Sequence, residues 1–139
     1  MKNFIKYANP AMSHWEIERL VRLVRDTVIG GTVLEIGVHR GGSARVWKRF
    51  LWPSVFVGID YDGSASAPEG MELVVGRSQD PGVIETARAF VDGRIDFLFI
   101  DGGHRSEEVR SDWNVFAPLV RRGGIIAFHD VRAPETDEV

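Results

Sequence analysis

Apolar residues follow two alternating patterns along the chain. Some segments repeat apolar positions every three or four residues, which is typical of a helix with one buried face. Others are short continuous apolar runs, typical of strands buried on both faces of a parallel sheet. The first pattern predicts helices at residues 13–28, 42–51, 81–91 and 106–120, and the second predicts strands at 32–38, 54–60, 72–76, 95–101 and 123–130. Strands that alternate with helices in this way predict an α/β, doubly wound, Rossmann-like parallel sheet.

Local residues support two of the predicted helix starts. Ser13 and Glu16 form the S-x-x-E pattern of a capping box. Asp80 precedes Pro81, a combination typical of an N-cap followed by the first helical position. The predicted apolar face of the last helix consists of Val109, Trp113, Phe116, Ala117 and Val120.

The composition is that of an ordinary globular protein. The chain has 139 residues, 44% of them apolar, and its 17 Lys and Arg against 20 Asp and Glu give a formal net charge of −3. This length predicts one domain, and the acidic balance argues against nucleic acid as a partner. The absence of cysteine excludes disulfides and thiolate metal sites. No apolar run is long enough for a membrane span and no signal-peptide pattern is present, so we expect a cytoplasmic protein without a membrane partner.

Polar residues follow every predicted strand. In a doubly wound sheet the carboxyl ends of the parallel strands meet at one edge, where ligands bind. Turn formation alone would explain polar residues at one strand end, but it is a weak explanation for all five. The pattern therefore predicts a ligand site at this edge. The residues concerned include Glu35, Asp60, Ser78, Gln79, Asp101, His129 and Asp130.

The loop after the first predicted strand carries the most specific pattern. Glu35 is followed by Gly37, Gly41 and Ser43 at the junction with a helix. Glycines let a backbone approach a ligand closely, and the start of a helix offers free N–H groups to an anion. The spacing differs from the G-x-G-x-x-G dinucleotide fingerprint and from the P-loop. Asp60 ends the next predicted strand, a position where a carboxylate suits a ribose diol.

These motifs resemble those of a known family. Residues 35–43 resemble the glycine-rich motif I of class I S-adenosylmethionine-dependent methyltransferases, and residues 58–60 resemble the acidic ribose-binding motif of that family. A narrower resemblance is to the subgroup of small-molecule and sugar O-methyltransferases that is grouped with cephalosporin hydroxylase-like proteins. The narrower resemblance is carried by residues 96–104, 118–124 and 128–130.

The resemblance covers about residues 30–131. It implies a sheet with the strand order 3-2-1-4-5, within a single domain that spans residues 1–139. It also implies methylation of a hydroxyl group on a small-molecule acceptor. The residues that it implies for binding S-adenosylmethionine are Glu35, Gly37, Gly41 and Ser43 for the methionine part, Asp60 for the ribose, Ser78 and Gln79 for the adenine, and Asp101 beside the sulfonium.

The resemblance further implies a metal site and a base. Asp101, His129 and Asp130 match the place where metal-dependent members bind a divalent cation, with Mg²⁺ as the expected ion. Such a cation acts as a Lewis acid on the acceptor hydroxyl. His129 is a softer ligand than Mg²⁺ prefers, so the alternative is a histidine that points back into the sheet. His104 is the candidate base and Asp101 the second candidate catalytic residue, although His104 alternatively only completes the turn before the last helix.

The chain departs from the family pattern after the fifth strand. Members continue with two further strands, one of them antiparallel, whereas residues 133–139 are mostly polar. We therefore expect those two strands to be absent from this chain. The fifth strand would then be an apolar edge, and such edges invite pairing with another chain, so we expect a homodimer or a partner that covers it.

Three other functions stay open. A non-catalytic module of the same fold would bind S-adenosylmethionine or a protein partner without methylating anything. A dehydrogenase is disfavoured because the dinucleotide fingerprint is missing. A nucleic-acid methyltransferase would use the basic cluster of Arg40, Arg45, Lys48 and Arg49, which otherwise forms a solvated helix face. His39 is expected to face solvent and has no predicted role.

Overall fold

Strands and helices alternate along residues 12–103 and 105–129, which the computed structural model describes. The helices are α1 (His14–Val28), α2 (Gly42–Leu51), α3 (Pro81–Val91) and α4 (Ser106–Phe116). The strands are β1 (Thr32–Ile36), β2 (Val55–Asp60), β3 (Glu72–Val75), β4 (Ile95–Ile100) and β5 (Val120–Phe128). A short 3₁₀ helix, Ala117–Leu119, joins α4 to β5.

The strands form one sheet in the order β3-β2-β1-β4-β5, and every neighbouring pair is parallel. The predicted doubly wound α/β fold and its strand order are therefore confirmed. The strand order reverses between β1 and β4, because the chain runs outward from β1 to β3 and then crosses to the other side of β1. Such a reversal opens a crevice at the carboxyl ends of the strands.

The sheet has a hydrophobic core on each face. Successive residues of a strand point to opposite faces, so one strand can contribute to both cores. One core lies between the sheet and helices α1 and α2. Trp47 belongs to this core, and its ring makes edge contacts with Phe97 and Phe99 at centroid distances of 5.2 Å. The other core lies against α3 and α4 and contains Leu98 and Ile100. Alternate residues of β4 thus supply both cores, which explains why that strand is a continuous apolar run.

The predicted starts of α1 and α3 are present. The Ser13 hydroxyl accepts the backbone N–H of Glu16, and the Glu16 carboxylate accepts the backbone N–H of Ser13 at 2.8 Å. Asp80 and Pro81 begin α3, although the Asp80 side chain makes no capping bond. The buried stripe of α1 consists of Ile17, Val21, Val24 and Val28.

The last helix differs from its prediction. α4 ends at Phe116 rather than at residue 120, and β5 begins at residue 120 rather than 123. Pro118 has no N–H to continue the α-helical hydrogen bonds, so the chain tightens into the 3₁₀ helix. The buried face is also rotated from the predicted one. Asp112 and Phe116 are buried, whereas Trp113 is 45% exposed and stacks on Phe128.

A buried carboxylate joins four segments at the amino end of the sheet. Asp96 accepts the backbone N–H of Thr32 at 2.7 Å and an N–H of the Arg121 guanidinium. Arg121 also donates to the carbonyl oxygen of Thr27 at 2.9 Å. Burial alone would raise the pKa of Asp96, but the bonds from Thr32 and Arg121 outweigh burial and hold that pKa below its ordinary value. Asp96 thus ties the end of α1 and the starts of β1 and β5 to β4.

β5 is an outer strand of the sheet that residues 12–103 and 105–129 form. Its apolar residues 125–128 are half-buried. Because an apolar edge favours pairing with another chain, a homodimer stays a prediction. No helix in the described ranges has the length and apolarity needed to cross a membrane.

Asp96→Ala is expected to lower the free energy of unfolding by about 2 kcal/mol, because it leaves the half-buried N–H groups of Thr32 and Arg121 without this acceptor. Glu18→Ala is the matched control. Glu18 pairs with Arg22 at 2.7 Å on the exposed side of α1, where such a pair contributes about 0.5 kcal/mol. Urea unfolding of both variants measures the difference. Equal losses in the two variants would contradict the role assigned to Asp96.

Candidate functional site

A cleft of about 300 Å³ opens at the carboxyl edge of the sheet, beside the reversal of strand order. This volume lies at the lower end of the range of small-molecule sites. The segments after β1, β2, β3 and β4 all contribute to its wall. Residues from separate strand ends thus meet in one cavity, as the strand-end pattern predicts. The wall includes the apolar Ile36 and Ile59 and the polar Asp60, Ser78, Gln79 and Glu108.

Gly37 allows a close approach between the loops after β1 and β4. Its φ is +89°, a left-handed conformation that favours glycine. A Cβ at this position would overlap the carbonyl oxygen of Asp101. The Gly37 N–H donates to the carbonyl oxygen of Ile59 at 2.8 Å, which continues the pairing of β1 with β2. Gly37 lines the cleft, and its predicted contact with the cofactor stays a prediction.

The Asp60 side chain organises the loop after β1. Its Oδ2 accepts the backbone N–H groups of Val38 and His39 at 2.9 and 2.8 Å, and its Oδ1 accepts the N–H of Asp62 at 2.9 Å. A carboxylate has about four acceptor positions, so these three bonds leave roughly one for a ligand. Asp60 lines the cleft. Its predicted contact with a ribose diol stays a prediction, and it would share that task with holding the loop.

Glu35 and Ser43 do not line the cleft. Glu35 is fully buried, the Ser43 hydroxyl donates to its Oε1, and its Oε2 has no hydrogen-bond partner among the described residues. Burial raises the pKa of Glu35 to about 8; the Ser43 bond lowers it, and the charges of Asp101 and Asp60 raise it further. The carboxyl group is therefore largely protonated at neutral pH. The predicted cofactor contacts of Glu35 and Ser43 stay predictions.

Gly41 also lies outside the cleft wall. It precedes α2 as the N-cap residue with a φ of +71°, which glycine adopts without strain. A Cβ at this position would overlap the carbonyl oxygen of Ser66. Gly41 therefore lets the segment around Ser66 pack against the start of α2. Its predicted contact with the methionine part of the cofactor stays a prediction.

Ser78 and Gln79 lie in the cleft wall after β3, where the adenine is predicted. The Ser78 hydroxyl donates to Oδ1 of Asp112 at 2.6 Å, and the Gln79 amide nitrogen donates to the same oxygen at 3.0 Å. Asp112 lies on α4 and is 1% exposed. Burial raises the pKa of Asp112, and the bonds from Ser78 and Gln79 oppose this rise. The sequence-based predictions did not include Asp112. Asp112 lies four residues before Phe116 and therefore on the same helix face, and this spacing could have identified it as buried.

Asp101 and His129 form a pair where β4 and β5 end. Nδ1 of His129 lies 3.0 Å from Oδ1 of Asp101, and both side chains are largely buried. Both interpretations of His129, as a metal ligand and as a histidine that points back into the sheet, stay predictions. His104, the candidate base, and Asp130, the third candidate metal ligand, lie outside the described residues. The catalytic, cofactor and metal roles of Asp101 stay predictions.

His39 lies in the cleft wall, although the sequence assigns it no role. It has a φ of +51°. Its Nε2 lies 3.3 Å from the carbonyl oxygen of Asp101, and its Nδ1 lies 4.0 Å from Oδ2 of Asp60. The side chain is 46% exposed, so the expectation of a solvent-facing residue holds in part. Its position inside the glycine loop is the sequence signal that could have placed it at the site.

The potential metal ligands in the described parts of the chain are dispersed. No three His, Asp or Glu side chains are grouped there as a metal site requires. Asp101 and His129 offer one carboxylate and one imidazole, which bind each other. Mg²⁺ prefers oxygen ligands in near-octahedral geometry. These two residues alone therefore do not form a Mg²⁺ site.

The cleft combines features that suit a nucleoside. Its wall combines the apolar Ile36 and Ile59 with the carboxylate of Asp60 and the amide of Gln79, which are group types that a base and a ribose diol can contact. Nucleoside cofactors bind doubly wound sheets at such a crevice. The fold and the cleft thus define an α/β domain of the class that binds nucleoside cofactors.

Comparison with known proteins identifies the family. Residues 34–131 match a family described as a methyltransferase domain, so the chain belongs to that family. It is 36% identical over 107 residues to demethylmacrocin O-methyltransferase of Streptomyces fradiae, covering 71% of this chain and 27% of the relative. It is 27% identical over 128 residues to L-olivosyl-oleandolide 3-O-methyltransferase of Streptomyces antibioticus, covering 84% of this chain and 32% of the relative.

A solved structure shares the fold. The MycE methyltransferase from the mycinamycin biosynthetic pathway, in complex with Mg, SAH and mycinamycin VI, superposes with a TM-score of 0.72 at 30% identity. The match covers 87% of this chain and 33% of that chain. The chain therefore spans a third or less of the length of these three proteins.

Gly37→Ala is expected to lower the free energy of unfolding by more than about 2 kcal/mol, because the new methyl group meets backbone in a left-handed conformation. Gly82→Ala is the control. Gly82 lies in α3, and a Cβ added there would meet nothing within 4 Å, so alanine should be neutral or stabilise by up to ~1 kcal/mol. Denaturant unfolding separates the two variants, and a neutral Gly37→Ala would contradict the close approach.

Glu35→Gln is expected to flatten the dependence of stability on pH. In the wild type the folded-state pKa of Glu35, about 8, exceeds its ordinary value of 4.5. The contribution of Glu35 to the free energy of unfolding is therefore fully present below pH 4.5 and is lost as the pH rises towards 8. The loss is on the order of several kcal/mol, since one pKa unit corresponds to about 1.4 kcal/mol. Urea unfolding between pH 5 and 8 measures the slope, with the exposed Glu72→Gln as control. Parallel curves for wild type and Glu35→Gln would refute this account of Glu35.

Proposed function

We propose that this chain is the S-adenosylmethionine-binding domain of an O-methyltransferase that acts on a hydroxyl group of a sugar-bearing small molecule. The observation that carries the proposal is the cleft at the carboxyl ends of β1 to β4, which suits a nucleoside. Membership of the methyltransferase domain family supports it. Two similar proteins are named O-methyltransferases of macrocin- and oleandolide-type compounds, and a similar structure holds SAH.

The proposal gives each part of the cleft a task. Ser78 and Gln79 would lie near the adenine, with the amide of Gln79 facing its edge, and Asp60 would accept one hydroxyl bond from the ribose with its remaining acceptor position. Gly37 would let the methionine part pass close to the backbone after β1. Asp101 would lie beside the sulfonium, where its negative charge is favourable.

The chemistry divides between cofactor and protein. S-adenosylmethionine, when bound, would supply a methyl group on a sulfonium, and the acceptor oxygen would take that methyl group as the S–C bond breaks. This displacement needs the oxygen in line with the breaking bond, so positioning is the main task of the protein. The hydroxyl proton must pass to a base, for which His104 is our candidate.

Metal assistance is a separate part of the proposal. Asp101 and His129 would contribute two ligands for Mg²⁺, and Asp130 the third. The support is that the similar MycE structure contains Mg. A divalent cation would supply a Lewis acid that lowers the pKa of the acceptor hydroxyl.

Calorimetric titration with S-adenosylmethionine and S-adenosylhomocysteine, each with and without Mg²⁺, tests the proposal. Both compounds are expected to bind one site with a dissociation constant on the order of 1–100 μM. Tyr61→Ala is expected to weaken binding several-fold, because Tyr61 lines the cleft and is 73% exposed. Phe90→Ala is the control, since Phe90 is an exposed aromatic residue of α3 outside the cleft wall.

Each outcome of the titration has a distinct meaning. Failure of both compounds to bind the wild type would contradict the proposed function. Equal weakening by Tyr61→Ala and Phe90→Ala would place the binding site elsewhere. Tighter binding in Mg²⁺ that is lost in Asp101→Asn would support the metal site, and Mg²⁺-independent binding and methyl transfer would contradict it.

A further inference from the structure

A buried side-chain network stands behind the β3 end of the cleft. Asp112 Oδ1 lies 2.6 Å from the Ser78 hydroxyl and 3.0 Å from the Gln79 amide nitrogen, which also lies 2.8 Å from the Ser78 hydroxyl. Asp112 and Ser78 are buried, whereas Gln79 is half-buried and lines the cleft. The network therefore connects a hidden carboxylate on α4 to an amide that a ligand can reach.

The directions of these hydrogen bonds follow from the groups involved. An ionised carboxylate only accepts, and a serine hydroxyl has one hydrogen to donate. Ser78 gives that hydrogen to Asp112, so towards Gln79 its oxygen can only accept. The nitrogen of the Gln79 amide must therefore face Ser78 and Asp112, and its oxygen must lie on the other side.

The amide keeps two polar groups for a ligand. The two acceptors are only 2.6 Å apart, so one N–H of Gln79 reaches both as a shared bond. The second N–H and the amide oxygen stay without a protein partner among the described residues. An amide flip would set the oxygen of Gln79 against the Asp112 carboxylate, and two acceptors facing each other without a proton repel.

We propose that Asp112 is a positioning residue that locks the Gln79 amide in one orientation, so that the cleft selects a 6-aminopurine over a 6-oxopurine. The inference rests on the proposed function and extends it to the base of the cofactor. Asp112 touches no ligand in this account; it acts only through Ser78 and Gln79.

The selectivity follows from the donor pattern of the two bases. A glutamine amide pairs with adenine through its oxygen to the 6-amino group and its N–H to a neighbouring ring nitrogen. A 6-oxopurine replaces the amino donor with an acceptor, which would face the fixed oxygen of Gln79. Glu108, one turn before Asp112 on α4, also lines the cleft and adds a second acceptor. A site built around acceptors rejects a ligand that lacks the matching donor.

The test compares S-adenosylhomocysteine with S-inosylhomocysteine, in which a 6-oxo group replaces the 6-amino group. Calorimetric titration of the wild type is expected to show a preference for the adenine compound of about tenfold or more. Asp112→Leu keeps the branching of the side chain without its oxygens and is expected to bring the ratio towards one. Asp112→Asn retains an acceptor oxygen at Oδ1 and is expected to keep most of the preference.

A second variant keeps the test decisive if Asp112→Leu unfolds. Gln79→Met preserves length and removes the amide at a half-buried position, so it is expected to lose the preference with little loss of stability. Equal binding of both compounds by the wild type, or an unchanged ratio in Gln79→Met or in folded Asp112→Leu, would overturn the inference and leave the proposed function standing. Failure of the wild type to bind either compound would instead contradict the proposed function and the inference with it.

Discussion

The site depends on one buried carboxylate, that of Asp60. It accepts the backbone N–H groups of Val38 and His39 from the loop after β1 and that of Asp62 from its own loop. Without these bonds, the N–H groups would be left unsatisfied at a point where the chain leaves the sheet, which costs free energy. The same bonds set the course of the backbone that borders the cleft. The fold already uses this side chain, so the ribose diol of the proposed cofactor would have to share it.

Three further contacts support the loop after β1 and the cleft beside it. Glu35 and Ser43 are joined by a hydrogen bond, and the carboxyl group of Glu35 is largely neutral at pH 7 because burial raises its pKa to about 8. Within the loop, Gly37 has no side chain and so leaves room for the segment after β4. In the wall after β3, the Gln79 amide donates to the buried carboxylate of Asp112, which fixes its orientation. Ser78 and Gln79 in the cleft wall are thus held by a carboxylate that does not itself line the cleft.

The fold was largely predictable because a doubly wound sheet requires apolar strands and regular helices. The period of the pattern located α1, and the capping box fixed its start. The end of α4 was not predictable from apolar spacing, because Pro118 interrupts a stripe that continues through it. Strand-end polarity located the edge of the sheet that carries the cleft. It could not separate Asp60, which lines the cleft, from Glu35, which is fully buried and does not, because that difference depends on strand register and burial. It also could not reveal Asp112, whose partners lie on a different element.

The most direct test of the account is to locate the bound cofactor on the backbone by amide NMR of the isotope-labelled chain during addition of S-adenosylhomocysteine. We expect saturable shifts at Gly37, His39, Ser78 and Gln79, which border the cleft, and none at Gly82 on α3. Shifts confined to other segments, or no saturable change at any amide, would contradict the assignment of this cleft as the S-adenosylmethionine site.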